Sequence, residues 1–432
     1  MRFVREASAG GVLPFLAALA RDYGPVSSFP FGSRRIVLID DAGLIEEILV
    51  TRQHEFVRDS GATLLRELVG TGLLTTEDPP HLQRRRLKQP AFHRSRVAGY
   101  AATIVTEVQR TLADWRPGRR VDLGAEMARL TLAAVGSALF GSDLRDETQA
   151  VADVLARVMR RGNALGAALT LGAPVLGILH RLFPERSSLV FPRERAELES
   201  IVAPLVARRR DAGTADLLSM LLDSRGEDGG ALDDAAVTNE AVMLILAGHE
   251  TTANALTWTW LLLSAHPLVE RKLLAEVDRV LAGRRPVYED LARLPFTAHV
   301  FDEALRLYPP AAAFARRPLH TISLGGYTIP KMTSIFVSPF VTQRNPRYFQ
   351  APGEFRPERW ERAAPLKLAY FPFGAGSKMC IGEPFARMEG VLAIAAIASR
   401  FRLRRISATP IVPGAQALLR PATPVYVEPV RR

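Results

Sequence analysis

A chain of 432 residues, 48% of them hydrophobic, can bury a substantial core, and no Ser/Gly-rich or Pro-rich tract divides it into independent parts. The formal charge of +11, carried mostly by arginine, draws acidic partners, but the basic residues are scattered without a Lys/Arg block or a nucleic-acid motif, so no nucleic acid is expected. A single cysteine excludes an internal disulfide.

Met1 to Tyr23 sets Arg2, Arg5 and Arg21 around a short apolar stretch without a small-residue cleavage pattern, so no signal peptide is expected. β-rich pieces follow at Pro25 to Phe29 and Arg35 to Ile39. Apolar residues then recur at helical spacing from Ala98 to Trp115, Met127 to Phe140, Ala150 to Arg160 and Arg193 to Arg210. Gly162 to Leu179 is uncharged but carries four glycines and Pro174, which suits a mobile lid better than a membrane span. Asp223 to Asp234 is polar and Gly-rich, a surface loop.

The most informative helix runs from about Asp234 to Ser264, roughly 45 Å at 1.5 Å per residue. Its second half is apolar nearly all round, so it passes through the core, and Pro267 stops it. The uncharged run Thr251 to Val269 is the end of this helix and breaks at His266-Pro267, so it is no membrane anchor. Later strands are expected at Tyr327 to Ile329 and Ser334 to Val337, with turns at Gly325-Gly326 and Pro330-Lys331. The expected fold is mainly α with a small β subdomain assembled from distant parts of the chain: a single domain over residues 1–432, built around the long central helix. A monomeric cytoplasmic protein is expected.

Around the cysteine the sequence reads Phe373-Gly374-Ala375-Gly376-Ser377-Lys378-Met379-Cys380-Ile381-Gly382. A lone cysteine is most often a small buried hydrophobe. Here, glycines permit a tight loop whose amides point at the sulfur. An apolar helical pattern begins at Glu383 with Pro384 in its first turn. The positive end of that helix beside the sulfur favours thiolate over thiol.

F-x-x-G-x-x-x-C-x-G followed by a helix resembles the heme-binding loop of the cytochrome P-450 family. The resemblance implies heme b (iron protoporphyrin IX) as cofactor, Cys380 as the axial iron ligand and Phe373 packed beneath the heme. A thiolate ligand donates electron density and favours O–O cleavage. One departure stands out: where the family usually has arginine or histidine, this chain has Lys378, which offers a propionate a point charge without the bidentate fork.

Mid-helix stands Ala247-Gly248-His249-Glu250-Thr251-Thr252. Ala247 and Gly248 are small enough for a flat cofactor to approach, and Thr251 is placed to bond back to the Ala247 carbonyl, loosening the ladder. Glu250 is an ionisable group in an otherwise apolar helix and needs a use or a partner. The stretch is similar to the family's A-G-x-(D/E)-T-T signature, which implies that Thr251 stabilises dioxygen and Glu250 helps relay protons. His249 is a bystander.

Glu303 and Arg306, three apart, are followed downstream by Phe355-Arg356-Pro357-Glu358-Arg359-Trp360. An E-x-x-R pair alone says little. The two together look like the family's E-x-x-R and P-E-R-F/W elements, implying a structural Glu303–Arg306–Arg359 network. Asp78-Pro79-Pro80-His81-Leu82-Gln83-Arg84-Arg85 resembles the family's D-P-P-x-H-x-x-x-R start with one residue fewer before the histidine. It implies His81 and Arg85 as propionate ligands, with Arg316 as a further one and Arg317 as its rival.

The resemblance runs across nearly the whole chain, with four motifs in the family's order. It implies a monooxygenase that inserts one atom of O2 into a hydrophobic small molecule of terpenoid, steroid, fatty acyl or polyketide type. Electrons come from a separate chain, an acidic ferredoxin or flavodoxin with its NAD(P)H reductase, expected to dock on Arg84, Arg86, Lys88, Arg94 and Arg96. Cavity-lining residues are expected among Val57 to Leu74, Gly162 to Leu179, Ala247, Ala311 to Phe314 and Leu418-Leu419. Three rival readings make different predictions: a peroxide-using or non-oxygenase heme-thiolate enzyme needs no reductase, a heme sensor shows no spin shift with apolar ligands, and a cysteine hydrolase is colourless.

Overall fold

The computed structural model describes residues 11–31, 34–59, 61–158, 188, 190–210, 217–223, 232–362, 366–406, 411–415 and 418–432. The expected lid Gly162 to Leu179 and most of the loop Asp223 to Asp234 lie outside the described residues. The helices before the gap are α1 (Val12–Tyr23), α2 (Ala42–Glu46), α3 (Gly61–Val69), α4 (Pro80–Lys88), α5 (Arg94–Asp114) and α6 (Leu123–Phe140), with a further helical stretch at 148–158. After it come α7 (Pro192–Arg210), α8 (Leu217–Leu222), α9 (Asp234–Ala265), α10 (Pro267–Leu281), α11 (Pro295–Leu307), α12 (Pro339–Thr342) and α13 (Glu383–Ala398).

The long central helix is α9, of 32 residues. Its start is fixed by Asp233, whose side chain accepts from the Ala236 amide at 2.6 Å. Its end is fixed by Pro267, which opens α10 instead of continuing the ladder. Both bounds fall within one residue of expectation. Most of α9 from Val237 onward is buried, with α6 packed along it. A Cβ added at Gly248 would stand 3.1 Å from Val135 of α6, and the Thr131 hydroxyl of α6 donates to the His249 carbonyl at 2.9 Å. α6 alone among the described helices is long and apolar enough to cross a membrane, but two thirds of it is buried inside the protein. It is a core helix.

α13 packs on α5, α9 and α11. Gly390 permits this closeness to α11, since a Cβ there would fall 2.5 Å from the Phe301 ring. This fixes the loop ahead of α13 relative to α9.

Strands from distant parts of the chain form one five-stranded sheet in the order β1 (Val26–Phe31), β2 (Arg34–Ile39), β8 (Ser334–Val337), β5 (Phe314–Pro318), β3 (Phe56–Arg58). β2 and β8 run parallel with Ile36 opposite Ser334. β3 and β5 run antiparallel with Arg58 opposite Arg316. The smaller sheets pair β4 (Val121–Asp122), β12 (Tyr426–Arg431) and β9 (Phe401–Arg405), then β6 (Ile322–Leu324) with β7 (Tyr327–Ile329), and β10 (Pro413–Ala415) with β11 (Leu419–Pro421). Gly325 and Gly326 both take positive φ in the β6–β7 turn. The fold is the expected one, helical with a small composite β portion.

Candidate active site

A cavity of about 310 Å³ opens between α9 and the loop that precedes α13. One wall carries Ala247, Gly248, Thr251 and Thr252; the facing wall carries Phe373, Lys378, Met379, Cys380, Ile381 and Gly382. The sequence motifs thus meet across one space, although more than 120 residues separate them in the chain.

The cysteine loop owes its shape to two positive-φ glycines, Gly374 and Gly376. At Gly376 no other residue fits, because a Cβ would fall 1.8 Å from the Leu49 carbonyl oxygen. The loop closes with the Cys380 amide donating to the Phe373 carbonyl at 2.9 Å. Cys380 is open to the cavity, while the protein behind it is dense enough to desolvate the sulfur. Burial pushes the thiol up, against the Gly382 and Glu383 amides and Arg85, which pull it down. The helix end beside the sulfur thus pulls in the expected direction, toward thiolate. The amides are in place, burial outweighs them, and a cation bound at the sulfur would add to their pull.

On α9 the Thr251 hydroxyl donates to the Ala247 carbonyl at 2.7 Å, the back-bond expected from the spacing. Thr252 does the same to Gly248 at 3.2 Å. Glu250 does not border the cavity itself. Burial raises its carboxyl, and Arg420 of β11 offsets this in part. His249 is buried, accepts no role at the cavity and binds the Ile245 carbonyl; burial depresses it to about 4.

At one end of the cavity lies a cationic corner. His81 is buried with its Nδ1 hydrogen-bonded to Asp78 at 2.9 Å, and the Arg85 guanidinium donates to the Met379 carbonyl at 2.6 Å. Lys378 stands 3.2 Å from Asp78 and 3.4 Å from Glu77. Arg317 pairs with Asp59 and is committed elsewhere. Arg316 does not reach the cavity wall; Arg58, its partner across β3 and β5, does. Arg58 donates to the Thr76 carbonyl at 2.5 Å. Burial and the Arg58 charge together depress Arg316 to about 10.

This corner tests whether heme fits. Among the described residues, the carboxylates recorded acting on Arg58, Arg316 and Lys378 are Glu77 and Asp78, and none acts on Arg85, so positive charge is in surplus in a largely desolvated place. Such a surplus is costly unless anions balance it. A flat group with an apolar body and two carboxylates satisfies it, and that describes heme b. Arg58 falls within the expected lining range Val57 to Leu74, but a role toward the propionates was not assigned to it, because its strand is only three residues long. The strand register was the signal, and it was not readable from the sequence.

The structural network is present and larger than expected. Glu303 accepts from Arg306 at 2.9 Å with both oxygens, from Arg359 and the Arg356 amide at 2.9 Å, and from the Trp360 indole at 3.0 Å. Arg306 also donates to the carbonyls of Gln343, Pro352 and Glu354. This ties α11 to the segment that leads into the cysteine loop.

Two expectations are corrected. Leu419 is not in the cavity wall: it is buried in the core, its amide donating to Pro310 and its carbonyl accepting from Trp258. Lys88 is not a surface cation; it is buried against Glu240, which also holds Arg84, so Arg86, Arg94 and Arg96 are the exposed members of the basic set. The apolar wall comes from Leu73, Leu74, Val135, Leu139, Met243, Leu244, Ala311 and Phe314.

The family model described as Cytochrome P450 matches residues 6–429 of the chain. The chain is 36% identical to cyclooctatin synthase of Streptomyces melanosporofaciens, over 94% of this chain and 89% of that protein. It is 36% identical to cyclooctat-9-en-7-ol 5-monooxygenase of the same organism, over 92% and 86%. It is 35% identical to pentalenene oxygenase of Streptomyces avermitilis, over 78% and 75%.

Proposed function

The chain belongs to the cytochrome P450 family, and on that premise we propose that Cys380 holds the iron of heme b and that a terpenoid-type ring hydrocarbon is the molecule oxygenated in the cavity. The family binds heme b, and this chain is a monooxygenase that places one oxygen atom of O2 on a hydrophobic small molecule. When bound, heme supplies the redox chemistry that activates O2.

The chain's own residues do the rest. Ala247 and Gly248 present small side chains, so a flat ring can lie against α9; Phe373 closes the opposite side beside Cys380. His81, Arg85, Arg58 and Lys378 would hold the propionates, with Arg316 behind Arg58 adding to the positive field. Thr251 offers a hydroxyl at the cavity, and releasing its bond to Ala247 frees that proton for the oxygen. Glu250, next in the chain and raised toward neutrality by burial, re-supplies it from the far side of α9. The apolar wall excludes water and offers few polar contacts, which favours a hydrocarbon over a charged substrate.

The terpenoid class among the hydrophobic candidates is supported by the names of the relatives, an oxygenase of pentalenene and a monooxygenase of cyclooctat-9-en-7-ol. An acidic ferredoxin or flavodoxin with its NAD(P)H reductase supplies electrons, docking on Arg86, Arg94 and Arg96. We read the chain as one domain over residues 1–432, monomeric and cytoplasmic.

The observation that carries this reading is the single cavity shared by Cys380 and Thr251. Turnover of a panel of cyclic terpenes under 18O2, with NAD(P)H, reductase and ferredoxin, tests it. One labelled oxygen per product is expected. Equal turnover with peroxide alone would favour the rival peroxide-using enzyme.

A further inference from the structure

Glu240 sits on α9 two turns before Ala247, on the same stripe that carries Met243, Leu244 and Thr251 into the cavity wall. Its side chain is 0% exposed, and the cavity chemistry described above does not use it. Its oxygens are shared by two other elements. From α4, Arg84 donates at 2.7 Å and Lys88 stands at 2.9 Å. From the loop after α3, the Leu73 amide donates at 3.2 Å. The neighbouring Leu74 amide meets the Met243 sulfur at 3.1 Å.

The loop fits this place closely. A Cβ at Gly72 would fall 2.5 Å from the Met243 methyl and 3.0 Å from a Glu240 oxygen. Leu73 and Leu74 are therefore pressed against α9 by a buried carboxylate whose charge is balanced from α4. Lys88 is buried, whereas Arg84 is 24% exposed and so reaches solvent from the same carboxylate.

We propose that Glu240 is a positioning residue for substrate selection, fixing the Leu73–Leu74 wall of the cavity, with Arg84 as its handle on the protein surface. This rests on reading the cavity as the substrate chamber above heme. A carboxylate buried with two cations keeps its place only while both stay. An acidic partner that draws Arg84 outward thus weakens the hold on Leu73, and the same free energy links ligand affinity to partner affinity in both directions.

The test uses the full heme-loaded protein and two azoles that bind iron, read by the Soret shift. Imidazole needs no cavity wall; 4-phenylimidazole presses its ring against it. Glu240→Gln is expected to weaken 4-phenylimidazole by about fivefold or more while imidazole stays within about twofold. Arg84→Gln, a milder change that keeps Lys88 on Glu240, shifts 4-phenylimidazole in the same direction by less, and Arg84→Lys restores it. If Glu240→Gln fails to take up heme, the Arg84 pair decides alone. Equal shifts for both azoles, or none for 4-phenylimidazole, would overturn the proposal. No Soret response of the unsubstituted protein to imidazole would overturn the heme reading beneath it, and the proposal with it.

Discussion

Arg58 and Arg316 stand directly opposite one another across β3 and β5, two half-buried, largely desolvated guanidinium groups with Glu77 as the carboxylate acting on both. Like charges in that register repel, so the protein tolerates the pair for what it binds. The sign of a substitution should therefore depend on cofactor. Arg58→Met is expected to speed transfer of heme to a scavenging apoprotein about tenfold, and to raise the stability of the heme-free protein by about 1 kcal/mol. Heme-transfer kinetics and urea denaturation of both forms measure these two quantities. A loss in both forms would assign Arg58 a purely structural role.

Glu303 carries bonds from four groups on two segments, all reaching into the stretch before the cysteine loop. Glu303→Ala leaves Arg306 buried without its counter-charge, an expected cost of about 3–5 kcal/mol. Heme content per chain after expression should fall with it. A fully heme-loaded Glu303→Ala protein of unchanged denaturation midpoint would contradict the assignment.

Glu389 of α13 lies wholly buried beside Thr252, with neither carboxylate oxygen in a hydrogen bond of good geometry; burial pushes it up to about 8, against a smaller downward pull from Thr252. A raised acid pKa means the folded state holds a proton that the unfolded chain releases above the usual carboxylate range. Its contribution is thus fully present below pH 4.5 and is lost as pH rises to about 8, by about 1.4 kcal/mol per unit. Glu389→Gln should flatten that decline and exceed the parent in stability at pH 9. Thermal melts across this range check it, and parallel curves would reject it.

Thr251→Ala removes the cavity hydroxyl without disturbing the cysteine loop. Ligand binding and reduction should persist within about twofold, while product formed per NAD(P)H consumed drops at least about tenfold and hydrogen peroxide appears instead. Unchanged coupling would take Thr251 out of proton delivery.

Much of this was legible in the sequence for identifiable reasons. Pro267 and the Asp233 cap fix the ends of α9 locally, so the helix could be placed to within one residue. Thr251 bonding back to Ala247 follows from helical spacing alone. What escaped notice depended on long-range register. Arg58, inside the expected lining range, joins the cationic corner because three residues of β3 pair with β5, and Trp360 joins Glu303 through a short turn with no periodicity. Lys88 looked like a surface cation because its partner, Glu240, lies 152 residues away in sequence on another helix. At the thiol only half was legible: the amides at α13 are where the sequence puts them, while the depth of burial that opposes them is a property of the assembled core.

Cys380 faces Thr251 across one cavity, and the rest of the site follows from iron bound to that sulfur. The carbon-monoxide difference spectrum of the reduced, heme-loaded protein addresses it most directly. A Soret band moved to the long-wavelength position of thiolate ligation, and lost in Cys380→Ala, is the predicted result. A band at the shorter wavelength of nitrogen-ligated heme, or one unaltered in Cys380→Ala, would contradict the account.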